Sequence, residues 1–146
     1  MPERDPIELA ARSLHYRDRS RSELDARLAR AGIDEDARAD ALDTLERVGY
    51  VDDERFAAAR AAALAGRGYG DEAIRHDLGG HQLSPEAIES GLATVEAEAA
   101  RALALVERLG RTRKVAAQLA RKGFGQDSLE AALGGELEEE AAGYDV

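Results

Sequence analysis

The sequence predicts an all-α protein, an elongated array of three tandem three-helix repeats, and three observations carry that prediction. Helix-forming residues dominate the 146-residue chain, and its three prolines stand at positions 2, 6 and 85 only. No four-residue run shows the β-branched alternation of a half-buried strand. Apolar residues recur in three copies at shared offsets. From Leu24, offsets of 4, 9 and 18 reach Leu28, Ile33 and Leu42; from Ile74 they reach Leu78, Leu83 and Leu92; from Val115 they reach Leu119, Phe124 and Leu133. Ten residues before each start stands Leu14, Leu64 or Leu105, and each copy turns near a glycine, Gly32, Gly80 or Gly123. The offset of 4 is one helical turn, and the offset of 9 crosses a turn into a further helix. An offset of 14 holds Ile88 and Leu129 but Arg38 in the first copy.

Each element has a local reason. Pro6 opens a first helix, Ile7 to about Tyr16, at a position where a missing N–H costs nothing. Ser20 and Glu23 form a capping box for a second helix that stops at Gly32, and Asp34 caps a third that runs to Val48. Leu45 and Val48 sit three apart on one face, with Gly49 ending the helix and Tyr50 and Val51 expected to carry their side chains back over the finished turn. Asp52 caps the next helix, Asp53 and Glu54 place negative charge at its positive end, and Phe56 turns inward. Gly66 to Gly68 stops that helix, and another restarts near Asp71. The second and third starts are 41 residues apart against 50 for the first pair, and Ala93 to Leu109 contains neither Gly nor Pro. The pattern therefore predicts one continuous helix from Pro85 to Leu109, 25 residues and about 37 Å long. The units are 7–50, 51–94 and 95–134, and 135–146, with acids and no bases, reads as a disordered acidic tail.

Composition removes several function classes. Without cysteine there is no disulfide framework and no thiolate metal site, and His76 and His81, five apart, do not share a helical face. No cofactor or metal is expected. No apolar run approaches the roughly 20 residues of a membrane span, and MPERDPIEL is unlike a signal peptide, so a cytoplasmic protein is expected. Gly66, Gly68 and Gly70 surround Tyr69 but lack GK[ST] and follow no strand, which argues against a nucleotide loop; Tyr69 is expected to pack across the turn. Asp52 and Asp53 have no nucleophile, base or metal partner tied to them, so no enzyme is expected.

Net charge is −10, from 20 basic and 30 acidic residues, which opposes free-standing binding to double-stranded DNA. The distribution is uneven: Arg101, Arg108, Arg111, Arg113, Lys114, Arg121 and Lys122 face a single acid in that interval, Glu107. A weaker cluster, Arg17, Arg19, Arg21, Arg27 and Arg30, is diluted by Asp18, Glu23 and Asp25. A solvated helical face and a binding surface are both open readings of these charges.

Three segments, SRSELDARLARAGI at Ser20 to Ile33, LERVGYVDDERFA at Leu45 to Ala57 and GRGYGDEAIRHDL at Gly66 to Leu78, resemble the RecX family of regulatory proteins. A looser fourth, RTRKVAAQLARKGF at Arg111 to Phe124, extends the resemblance over nearly all of Ile7 to Leu133. The resemblance implies tandem three-helix repeats that bind in the groove of a RecA filament and limit its ATP hydrolysis, strand exchange and coprotease activity. The partner it implies is a RecA-type recombinase filament, with DNA contacted inside the filament and weakly otherwise; a monomer is expected. The expected partner-binding residues are Tyr50, Asp52, Asp53, Arg55, Tyr69, Arg75, Arg108, Arg111, Arg113, Lys114, Arg121 and Lys122. Asp71 and Glu72 depart from the family, which commonly has proline and basic residues after RGYG. Rival readings are a DNA-binding helical protein, since SELDARLARAGI and the following helix could form a helix-turn-helix, and a helical-repeat adaptor for another partner.

Overall fold

The computed structural model describes residues 4–134, so the acidic segment 135–146 and its expected disorder lie outside the described residues. Those residues form helices and no strand, in the order α1 (Pro6–Tyr16), α2 (Arg21–Arg30), α3 (Glu35–Arg47), α4 (Asp53–Gly66), α5 (Asp71–Gly80), α6 (Pro85–Leu92), α7 (Glu98–Leu109), α8 (Arg113–Arg121) and α9 (Gln126–Leu133). Caps set most of the starts: the side chains of Asp5, Ser20, Asp34, Asp52, Ser84 and Thr112 each accept a backbone N–H of the first turn they precede. At Ser20 the bond is reciprocated, because the Ser20 N–H donates to Glu23 Oε1 at 3.0 Å.

The three-fold pattern becomes three separate cores. Leu24, Leu28, Leu42 and Leu45 bury among α1–α3. Phe56, Leu64, Ile74, Leu78, Leu83 and Leu92 bury among α4–α6. Val106, Val115, Leu119, Phe124 and Leu129 bury among α7–α9. Helix-on-helix packing is concentrated inside these triplets, and direct contact between them is sparse. In the second unit α4 and α6 cross so closely that a Cβ on Gly91 would lie 2.7 Å from the Ala57 Cβ. Arg38, the polar residue at the offset-14 position, bonds locally instead, its Nε to Asp25 at 2.9 Å and its Nη1 to the Ile33 carbonyl at 2.9 Å.

The long helix expected from Pro85 to Leu109 is not formed: α6 ends at Leu92 and α7 begins at Glu98. The break needs no Gly or Pro in 93–97. The Thr94 and Val95 N–H groups turn back onto the Gly91 and Leu92 carbonyls at 3.1 and 3.2 Å, and Thr94 Oγ1 donates to the Gly91 carbonyl at 2.7 Å. Val95 packs onto the second core. Beyond the break, Arg101 Nε donates to the Glu96 carbonyl at 2.9 Å. These turn bonds and the packing of Val95 on the second core replace the continuous ladder, so tertiary burial outweighs local propensity.

The two joints between units repeat one design. At the first, Ser20 is fully buried and its Oγ donates to the His81 carbonyl at 2.7 Å. The N–H of Arg21, first residue of α2, donates to Asp53 Oδ1 at 2.8 Å. At the second, the Gly70 N–H donates to the Lys122 carbonyl at 2.8 Å and the Glu72 N–H to the Gly123 carbonyl at 3.2 Å. The N–H of Asp71, first residue of α5, donates to Glu98 Oε2 at 2.6 Å. In both joints, the first N–H of a unit's middle helix goes to a carboxylate on the first residue of the next unit's leading helix. Such N–H groups have no partner inside their own helix, and the helix dipole favours an anion there.

The second joint is also packed backbone to backbone. A Cβ on Gly70 would lie 2.4 Å from the Gly123 carbonyl carbon and the Phe124 nitrogen. Gly70 has φ −85°, which any residue adopts, so the requirement is one of space. Gly123, at φ +96°, is required for its conformation as well. Arg101 completes the joint: it is buried, with Nη1 donating to the Tyr69 carbonyl at 3.0 Å and Nη2 to Asp71 Oδ1. Asp71 is thus the partner of a buried arginine from the next unit.

Candidate partner-binding surface

At the turn between α3 and α4, Gly49 takes φ +86° and the Tyr50 and Val51 N–H groups both return to the Leu45 carbonyl, at 2.8 and 3.2 Å. The reversal sends Val51 inward at 2% exposure and leaves Tyr50 67% exposed. Val48 is 58% exposed, whereas Leu45 is buried. This corrects the expectation that Tyr50 folds back over the turn with Val51. Val48 is the C-cap, where the chain is already leaving the helix, and adjacent extended residues face opposite ways. Two apolar side chains thus stand in solvent at a polar joint.

Asp52 caps α4 by accepting the Arg55 N–H at 3.0 Å. The Arg55 side chain is exposed and loosely held, with Nη2 3.5 Å from the Tyr50 carbonyl oxygen and Nη1 3.9 Å from Asp52 Oδ2. Asp53 is committed elsewhere, to the Arg21 N–H across the first joint. Val48, Tyr50, Asp52 and Arg55 are therefore the exposed members of this cluster.

Tyr69 packs partly buried against the second core, as a residue closing a turn. Lys122 Nζ lies 4.4 Å from its ring centroid and donates to the Arg67 carbonyl at 3.1 Å, while the Arg67 guanidinium carbon lies 5.6 Å from the same centroid. Arg75 is engaged by both Glu89 oxygens, at 2.9 and 3.1 Å, and this pairing holds the Glu89 carboxyl below its ordinary range.

The basic segment divides in two. Arg101 is buried in the second joint, and Lys122 lies half-buried beside it. Arg108, Arg113, Lys114 and Arg121 are exposed on the third unit, and Arg111 Nη1 reaches the Gly134 carbonyl at 3.3 Å. Val115 and Leu119 face the core from α8, so Arg113, Ala117 and Arg121, spaced four apart, run along its outer side. The two arginines lie about 12 Å apart along the axis.

Around the joints, carboxylates are held ionised. Burial pushes Glu98 up, but hydrogen bonds from Ser128 Oγ and from the Asp71 and Gly125 N–H groups, with the Arg101 charge, leave it below the ordinary 4.5. Burial likewise pushes Glu23 up, and it is brought below 4.5 by the Ser20 N–H and by His81, whose Nδ1 lies 2.9 Å from Glu23 Oε2. Asp77 is lowered chiefly by the Arg60 fork, whose two nitrogens bond it at 2.7 and 2.8 Å. Among the described residues no three His, Asp or Glu side chains converge as a metal site requires, and no helix is long and apolar enough to cross a membrane.

Sequence reasoning placed Tyr50, Arg55 and the α8 arginines among the candidates, but not Val48. A valine beside a tyrosine after the last inward leucine was the available signal. The ties made by Ser20, His81 and Glu98 between units carried no signal, since they join residues 27 to 61 positions apart.

Comparison with known proteins agrees with this architecture. The family model described as RecX, first three-helix domain, matches residues 7–45, and that described as RecX, second three-helix domain, matches residues 52–92. The chain is 40% identical over 147 residues to Regulatory protein RecX of Xanthomonas oryzae pv. oryzae (strain PXO99A), covering 94% of this chain and 91% of that protein. It is equally 40% identical to Regulatory protein RecX of Xanthomonas axonopodis pv. citri (strain 306), with the same coverage of 94% and 91%. Its fold is similar to the crystal structure of RecX from Lactobacillus salivarius, with a TM-score of 0.76 at 18% identity, over 88% of this chain and 92% of that one.

Proposed function

Because the chain belongs to the RecX family, we propose that it is a negative regulator of a RecA-type recombinase, binding in the groove of the RecA–DNA filament and inhibiting ATP hydrolysis, strand exchange and coprotease activity. The observation that carries this reading is the repeated joint. Two equivalent links, each made at a helix N-terminus, string three small cores together, and a chain so built can meet successive subunits of a helical polymer with successive units. In this reading the units are residues 7–50, 51–94 and 95–134, and the protein acts as a cytoplasmic monomer without catalysis of its own.

The contact residues of this reading are exposed Tyr50, Asp52 and Arg55 at the first joint and exposed Arg108, Arg113, Lys114 and Arg121 on the third unit. Asp53, Tyr69, Arg75 and Lys122 act mainly by holding the units that present them. Added in several-fold excess over filaments, the protein should suppress DNA-dependent ATP hydrolysis and strand exchange. Tyr50→Ala should fold normally and inhibit about tenfold less well. Unchanged hydrolysis and strand exchange with the parent protein would overturn the proposal.

The exposed arginine row of α8 favours one second reading, direct binding to bare DNA. Titration against salt without recombinase separates the two. A steep loss of affinity with salt supports bare-DNA binding, and negligible affinity at physiological salt supports the filament reading.

A further inference from the structure

We propose that the groove between α1 and α2 binds an acidic peptide segment of a partner protein, seating one apolar side chain on its floor and carboxylates on its arginine rim. The groove encloses about 460 Å³, within the range of pockets that hold part of a ligand. Its floor is apolar, made by Leu9, Ala10, Leu24 and Leu28 at the edge of the first core. The rim is cationic, with Arg4 and Arg12 on one side and Arg27 and Arg30 on the other. Arg12 reaches Glu8 at 3.2 Å, whereas Arg4, Arg27 and Arg30 make no ion pair among the described residues.

A second observation marks the groove as more than a gap between helices. Ser13 lines it at 3% exposure, and among the described residues its Oγ is the buried side-chain atom with no hydrogen-bond partner. A buried hydroxyl in that state costs stability unless something supplies a partner. A peptide backbone or carboxylate entering between the arginines could do so. Tyr16, 77% exposed at the mouth, adds an aromatic face beside the apolar floor.

The occupant's chemistry follows from the contrast between floor and rim. An apolar floor requires an apolar anchor, and three guanidiniums with no ion pair among the described residues favour acids around it, which is the pattern of an acidic segment docking one side chain into a pocket. A long polyanion fits less well, because beyond the rim it would run onto a protein whose net charge is −10. The groove is built from α1 and α2, separate from the Tyr50 turn and from α8, so it stands or falls independently of the filament reading.

The probe is a fluorescein-labelled glutamate-rich peptide carrying two leucines one helical turn apart, titrated into the full chain by fluorescence anisotropy. Saturable binding is expected, weakened about tenfold or more in the Arg27→Glu, Arg30→Glu double variant. Arg113→Glu with Arg121→Glu on α8 should leave it unchanged. Both pairs are exposed, and circular dichroism verifies that each variant folds. Ser13→Ala should bind the peptide less tightly while melting no lower than the parent, a combination that a purely structural serine would not produce. The proposal is overturned by equal binding of a glutamine-for-glutamate peptide, by equal loss in the α8 variant, by an unaffected Ser13→Ala, or by tighter binding of an oligothymidylate of the same charge.

Discussion

Replacing Gly70 by alanine tests whether the second joint is held by backbone contact. The new Cβ would lie 2.4 Å from backbone atoms of Gly123 and Phe124, where no flexible side chain can yield. Either α5 or the α8–α9 turn must retreat, and the Gly70 to Lys122 and Glu72 to Gly123 hydrogen bonds lengthen or break. Two such bonds contribute about 0.5–1.5 kcal/mol each, and overpacking against backbone adds about 1–3 kcal/mol. A loss of about 2–6 kcal/mol follows, a large share of a small protein's stability. Because packing is concentrated inside triplets, the damage should fall on the coupling of the third unit to the second. Urea unfolding should broaden or split, and the Gly70 and Glu72 amides should exchange much faster. Gly70→Ser distinguishes space from capping: serine is the better N-cap and occupies the equivalent position 20, so a capping role would make it stabilising. We expect it to destabilise as alanine does. Gly79→Ala, whose Cβ meets nothing within 4 Å, should instead stabilise by about 0.5–1 kcal/mol. Gly70→Ala unfolding within about 0.5 kcal/mol of the parent, in one unchanged transition, would refute the reasoning.

Arg101→Ala should cost about 3–5 kcal/mol in chemical denaturation, because it removes the bonds to the Glu96 and Tyr69 carbonyls and leaves Asp71 without its cation. Ser20→Ala removes both the α2 cap and the bond to the His81 carbonyl, and should cost about 1.5–3 kcal/mol by the same measurement. Acid should weaken both joints. Glu23 and Glu98 titrate below 4.5 in the folded chain, so between the folded and unfolded values the unfolded chain binds more protons. Their contribution is present above pH 4.5 and is lost as pH falls through the folded values. Melting temperature against pH should therefore drop below 4.5, and Glu98→Gln should be less stable at neutral pH but show a shallower drop.

The sequence by itself determined most helix starts and the apolar stripes that bury. Ser20, Asp34 and Asp52 cap within the segment they start, and Leu24, Ile74 and Val115 repeat at helical spacing, so their placement needs only local chemistry. The exposed arginines of α8 were legible for the same reason. Tertiary structure decided what local rules leave open. The helix expected through residues 93–97 breaks because Val95 and Arg101 gain more from the second core and the second joint than a continuous backbone ladder offers. Asp53, Tyr69 and Lys122 read as surface candidates, yet each is drawn into contact with a neighbouring unit or a core. The α1–α2 groove, and the Ser13 Oγ that finds no partner among the described residues, appear only once two helices cross. Capping and periodicity act over one or two turns of chain, whereas a joint depends on residues dozens of positions apart arriving at one place, and only the folded packing brings them there.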